Sequence, residues 1–276
     1  MGTNVLRPAV QLQRKEPLAV PGDGIPRAFR LESADIDAAF HAGLADFLAL
    51  PRYGLMFGGA FVLTGLAILA ALVMTGNSFL VFPAFSGFLL VAPFLTIGLY
   101  EVSRRRALGL SLDRRSILFA FNRHGGSQIG ILGLALITGA TLWMKLAVLL
   151  YALFFGMTSM PIDTFFQTVL SSTSGIEFAV IGSLVGFVMA ATVFSTCLFA
   201  LPMMLDRDVD VVTAVIASVR AVSEQPRLYF GWAAMVAMLA TIGLVTVVGL
   251  PFVMAVLGHT TWHLYTSAFG QTDIAD

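Results

Sequence analysis

The chain has 276 residues, of which 58% are hydrophobic and only 12% charged, and its sixteen Lys and Arg balance sixteen Asp and Glu. A soluble domain carries about 25% charged residues, so this composition excludes a protein that covers a water-facing surface. The single cysteine, Cys197, lies in an apolar run, which excludes a disulfide framework and suits a small buried side chain.

Residues 1–31 hold Pro8, Pro17, Pro21 and Pro26 among scattered charges, with no early apolar run. They read as a disordered tail and not as a signal peptide. In Ser33–Leu50, the residues Ile36, Phe40, Leu44, Phe47 and Leu48 recur at helical spacing, with Ser33 placed to cap the start. Asp35 and Asp37 fall in the first turn, where acids are favoured. A membrane crossing needs roughly 20 apolar residues, which gives a first span at about Tyr53–Met74 and a second at about Phe79–Tyr100. Arg104–Arg123 is charged again, with Leu110, Ile117 and Phe121 on one helical face, and a third span follows at about Gln128–Leu149. Tyr151–Gly175, with its polar run Ser171–Gly175, reads as an external re-entrant or interfacial connector.

A fourth span is expected at about Phe178–Leu201, ending at Pro202. Asp206–Ser223 repeats the amphipathic theme with Val209, Val212, Ile216 and Val219. The 42 residues Leu228–Phe269 contain no Lys, Arg, Asp or Glu. That is too long for one crossing, and Pro251 cannot continue a helix ladder. The stretch divides into a fifth span at about Leu228–Val248 and a sixth at about Pro251–Ala268, leaving 270–276 as a short tail.

The expected fold is thus an all-α polytopic bundle, with six transmembrane helices within residues 32–269. Fifteen of the sixteen Lys and Arg lie before span one, between spans two and three, or between spans four and five. By the positive-inside rule those segments and both termini are cytoplasmic. Three times an amphipathic segment precedes two spans, and two of the three end at Pro51-Arg52 and Pro226-Arg227. This reads either as loop helices lying on the bilayer or as a threefold duplication whose helices form a collar under the bundle.

Candidate sites are few. His259 and His263 stand four apart in Gly258–Tyr265, so a helix stacks both imidazoles on one face. With His124, at the mouth of span three, they are the weak candidates for a haem or metal ligand. The same stretch also reads as a hydrogen-bonded helix end, with Trp262 and Tyr265 in an aromatic belt. Lys145 stands roughly 26 Å into span three at 1.5 Å per residue, and either snorkels to water or pairs with Asp163 or Glu177. Gly54/Gly58, Gly126/Gly130 and Gly182/Gly186 permit close helix approach. No catalytic constellation, metal set or nucleotide-binding loop is readable, so no cofactor is expected.

Three stretches carry a resemblance: Pro93–Arg105, Leu201–Asp210 with Asp206, Arg207 and Asp208, and Gly258–Tyr265. In this order they resemble a family of bacterial integral membrane proteins, mainly proteobacterial, classed as a domain of unknown function. The resemblance runs from about residue 30 to the end and implies the bacterial inner membrane. It brings no activity, cofactor or site residue. Some relatives are loosely labelled as a cytochrome oxidase subunit, yet that catalytic core holds more histidines than the four here. The leading expectation is a non-enzymatic accessory, assembly or scaffolding component of a membrane complex, such as a respiratory one. A transporter or channel for a small or lipidic substrate is the second, and a redox protein built on His259 and His263 the third. The partners expected are the bilayer and a membrane protein or second copy, with no nucleic acid.

Overall fold

The structure, a computed structural model, describes residues 24–75, 80–120, 126–156, 160–246 and 248–270. These form α1 (Ser33–Ala49), α2 (Pro51–Met74), α3 (Val81–Leu95), α4 (Ile97–Ala107), α5 (Arg114–Leu118) and α6 (Gly126–Phe155). They continue with α7 (Ile162–Ser171), α8 (Thr173–Cys197), α9 (Ala200–Asp206), α10 (Val211–Glu224), α11 (Pro226–Thr246) and α12 (Gly249–Phe269). No strand occurs among the described residues. Among the described residues four stretches are long and apolar enough to cross a membrane: α2, α6, the run Thr173–Asp206 that includes α8 and α9, and α11.

The expected second and sixth spans are helical but differ in character. α3 has only 15 residues and stops at Thr96, one turn after Pro93. The proline ring removes a ladder hydrogen bond, and the Thr96 hydroxyl donates to the Pro93 carbonyl at 2.7 Å. α12 carries Thr260, Thr261 and two histidines and is surrounded by other helices, with its heaviest packing against α1 and α2. A comparable break divides α8 from α9 at Leu198–Phe199, because Pro202 has no N–H to offer the Leu198 carbonyl four residues back. Ser218 of α10 bridges it, accepting from the Phe199 N–H at 3.1 Å and donating to the Ser195 carbonyl at 2.8 Å.

The amphipathic segments also depart from expectation. α1 begins behind Glu32, one residue before the expected cap Ser33, and Asp35 accepts from the Glu32 N–H at 2.8 Å. Its buried stripe is Ile36, Ala39, Gly43, Asp46 and Phe47, with Leu48 exposed. α10, capped by Asp210 through the Val212 and Thr213 N–H groups, buries Ala214, Ala217, Ser218 and Ala221. Its larger Val212 and Ile216 face outward, because small side chains let the helix lie close under α8 and α9. α5 is a single short turn capped by Asp113, with Ile117 buried; Phe121 lies outside the described residues. Before α1, Phe29 donates to the Ala268 carbonyl at 2.6 Å, and Gln225 exchanges two hydrogen bonds with Leu31.

Two groups of helices result. α3 packs on α6 and α6 on α8, while α2 and α11 both pack on α12. Glycine decides how near α12 its neighbours come. A Cβ on Gly43 would lie 2.5 Å from the Thr260 backbone nitrogen, and one on Gly58 2.3 Å from the Pro251 carbonyl oxygen. Of the three spaced glycine pairs, only Gly54/Gly58 works in this way at both positions; Gly130 and Gly182 meet open space. At the end that carries the arginines, α1, α4, α9 and α10 tie the two groups together, and further along α2 packs on α3, Phe61 stacking on Phe88.

Candidate functional site

The three stretches that carried the resemblance lie far apart in sequence, yet α4, α9 and α12 bring them into contact at the arginine-bearing end. Their polar side chains meet there in a largely buried network of two clusters that share α4, one around Asp46 and one around Glu101 and Asp206. His263 Nε2 is 2.8 Å from Asp46 Oδ2 of α1, and Arg106 donates to Asp46 Oδ1 and to the Ala45 carbonyl. His259 Nδ1 shares a 2.7 Å hydrogen bond with Ser103. Arg105 Nε donates to Glu101 at 2.6 Å, while Arg104 lies between Glu101, at 3.7 Å, and Asp206, at 3.5 Å. Tyr265 donates to Asp206 at 2.9 Å and accepts from Arg207 Nε at 3.0 Å. Arg207 also donates to the Phe269 and Gly270 carbonyls, closing the C-terminus of α12.

Burial makes these contacts consequential. Glu101, Ser103 and His259 are fully buried and Asp206 nearly so. Desolvating charges costs several kcal/mol per ion unless partners satisfy them, and here three carboxylates face four arginines. Burial alone would push the Asp46 carboxyl up. The hydrogen bond and charge of His263, helped by Ser103 and His259, outweigh it and hold the pKa below the ordinary value.

His259, His263, Tyr265, Asp206 and Arg207 join the network. Trp262 is fully buried against Tyr265, ring centroids 5.5 Å apart, so neither stands in an aromatic belt at a water interface. Asp208 and Lys145 are exposed, as is Glu177. His124 lies outside the described residues, as does the side chain of Asp163. The two histidines share a face yet hold different partners, Ser103 and Asp46. Among the described residues no three His, Cys, Asp or Glu side chains group as metal ligands.

Asp46, Glu101, Ser103, Arg104 and Arg106 were missed as site residues. Asp46 had left a signal: it is in helical phase with Ile36, Ala39 and Gly43, an acid on the side of α1 that is buried.

Next to the network, between α8 and α11, lies a cavity of about 610 Å³. Tyr100, Gly258 and Thr261, which neighbour network residues in sequence, line it together with apolar side chains of α3, α8 and α11. Phe194 of α8 and Phe230 of α11 approach to 6.0 Å between ring centroids at its arginine-side end. Ala190, Ala234 and Ala237 line it while remaining exposed, so it opens sideways between α8 and α11. Trp143, buried in its wall, donates to Ser86 at 2.8 Å and to the Pro83 carbonyl at 3.1 Å.

No curated protein and no solved structure matches the chain. Residues 81–206 match the family model DUF2189, described as a predicted integral membrane protein. This is a shorter stretch than the resemblance read from the sequence; it holds the first motif and the start of the second, and ends before Gly258–Tyr265. Apolar helices long enough to cross a membrane and this match agree: the chain is an integral membrane protein, and its residues 81–206 are similar to DUF2189, a domain of unknown function.

Proposed function

We propose that this protein takes a lipid-like molecule from the bilayer into its lateral cavity and moves or presents it without chemical conversion. The observation that carries this reading is the cavity. Its volume falls within the range of about 300–1,000 Å³ usual for ligand sites, its walls are almost wholly apolar, and it opens toward the membrane. The polar network beside it ties α4, α9 and α12 into a fixed base against which α8 and α11 stand apart.

The membrane arrangement proposed with it has six crossings in a bacterial inner membrane, with the arginine-bearing end in the cytoplasm. α3 and α4 together count as one broken crossing and α12 as another; irregular backbone at membrane depth is tolerated where protein buries it. The threefold repeat draws support from packing. α1 lies on α12, α5 on α4, and α10 on α8 and α9, so each collar helix contacts the second crossing of the preceding unit. The turns into α2 and α11 also match: Leu50 has φ −135°, ψ 52° and Gln225 has φ −131°, ψ 56°.

Trp143 and Trp232 line the cavity and are otherwise shielded. Acyl chains brominated along their length should therefore quench their fluorescence by entering it. In full-length protein reconstituted with such lipids, Ala237→Phe and Ala190→Phe should reduce the quenching. Unchanged quenching in both would overturn the proposal. A second reading, the accessory or scaffolding component, is favoured by Val212 and Ile216, exposed on the collar helix α10. It expects a stoichiometric partner or second copy to remain after purification in mild detergent, and a lone monomer would count against it.

A further inference from the structure

The cavity has a direction. Along α11 it is lined from Phe230 to Ala240, which at 1.5 Å per residue is roughly 15 Å. That is half of a hydrocarbon core about 30 Å thick, so the cavity extends through one leaflet, and that leaflet adjoins the arginine-bearing end. Arg227 stands one turn before Phe230, and Arg227, Phe230, Ala234 and Ala237 follow one exposed strip of α11. The cation therefore sits at water level directly below the cavity mouth. Glu224, three residues before Arg227 in sequence, belongs to α10, on the other side of the non-helical turn at Gln225. A lipid entering between α8 and α11 would run its acyl chain up past Phe230 and leave its phosphate beside the guanidinium, whose planar fork suits phosphate oxygens.

We infer that the cavity takes an acyl chain of an anionic glycerophospholipid from the leaflet at the arginine-bearing end, and that Arg227 holds its phosphate-bearing headgroup. The inference rests on the lipid-cavity reading and adds the lipid class and the residue that selects it. A zwitterionic lipid offers the same phosphate with an attached cation that opposes Arg227, so net headgroup charge is what the site reads. Arg52 provides the internal comparison. It opens α2 after the same kind of turn and is equally exposed, but its guanidinium lies over Tyr53 and no cavity-lining residue adjoins it.

The test uses full-length protein in nanodiscs of equal parts phosphatidylglycerol and phosphatidylcholine, with retained lipids counted by native mass spectrometry. Wild type should retain phosphatidylglycerol preferentially. Arg227→Gln should reduce that preference about fivefold, the effect of one basic residue near a membrane surface. Arg227→Lys should keep most of it, and Arg52→Gln should leave it unchanged. Ala237→Phe should lower retention of both lipids. Equal preference in wild type and Arg227→Gln overturns the inference, and so does an equal loss in Arg52→Gln, which would mark a diffuse surface charge. A partner's helix found seated between α8 and α11 also overturns it. If Ala237→Phe leaves retention of both lipids intact, the cavity reading itself fails, whatever Arg227 does.

Discussion

Single residues in the network differ in how far water can replace their partners. Asp206 is buried, and so is Arg104, which it faces at 3.5 Å, so removing the carboxylate leaves a guanidinium with little access to solvent. Such losses cost about 3–5 kcal/mol. Asp46 is also buried, but the Arg106 side chain beside it is 40% exposed and can rehydrate. Asp206→Ala should therefore lower the melting temperature in detergent further than Asp46→Ala, whose cost is about 1–3 kcal/mol. Equal shifts would mean that Arg104 relies on Glu101 alone. Asp46 also supplies an acid dependence. Its folded pKa lies below its unfolded one, so its contribution is whole above about pH 4 and is lost as pH falls through the lowered value. Asp46→Asn should flatten the acid side of the stability profile relative to wild type, and parallel profiles would refute this.

At the level of helices, the closest approach belongs to α1 and α12. Gly43 abuts the Thr260 backbone, which cannot swing aside as a side chain would. Gly43→Ala should cost about 1–3 kcal/mol through forced separation and speed hydrogen exchange in α1. Gly130→Ala, which meets open space, serves as the control and should leave both unchanged. Helix positions were largely legible from hydropathy, since α2 and α11 begin within two residues of the expected spans. Their interruptions were less so. Pro93 and Pro202 were visible, but the α8–α9 break is held by Ser218, some twenty residues further along the chain. The inward side of α10 was misread because hydropathy weights Val212 and Ile216 over the alanines that allow contact. The network was half legible: its motifs stood out in order, while the pairing of His263 with Asp46 joins residues 217 positions apart and leaves no local trace.

For the whole molecule, the decisive matter is whether α3–α4 and α12 cross the membrane with the four helices whose length and composition already suffice. α3 and α4 together run from Val81 to Ala107, roughly 40 Å if straight. That is enough to cross despite the break at Thr96. α12 is 21 residues long and carries its polar face against α1 and α4, not against lipid. Six crossings put successive connections on alternate sides. Cys197, the single cysteine, is buried out of reach of a water-soluble reagent, which leaves a background for single cysteines at the exposed positions Thr75, Ser111, Ser174, Ser223 and Val248. In intact cells stripped of the outer membrane, an impermeant thiol reagent should label Thr75→Cys, Ser174→Cys and Val248→Cys. Ser111→Cys and Ser223→Cys should react only after permeabilisation. If Ser111→Cys reacts from the same side as Thr75→Cys, α3 and α4 return without crossing. The cavity would then lie in a bundle of different depth, and the placing of Arg227 at the inner leaflet would have to be derived anew.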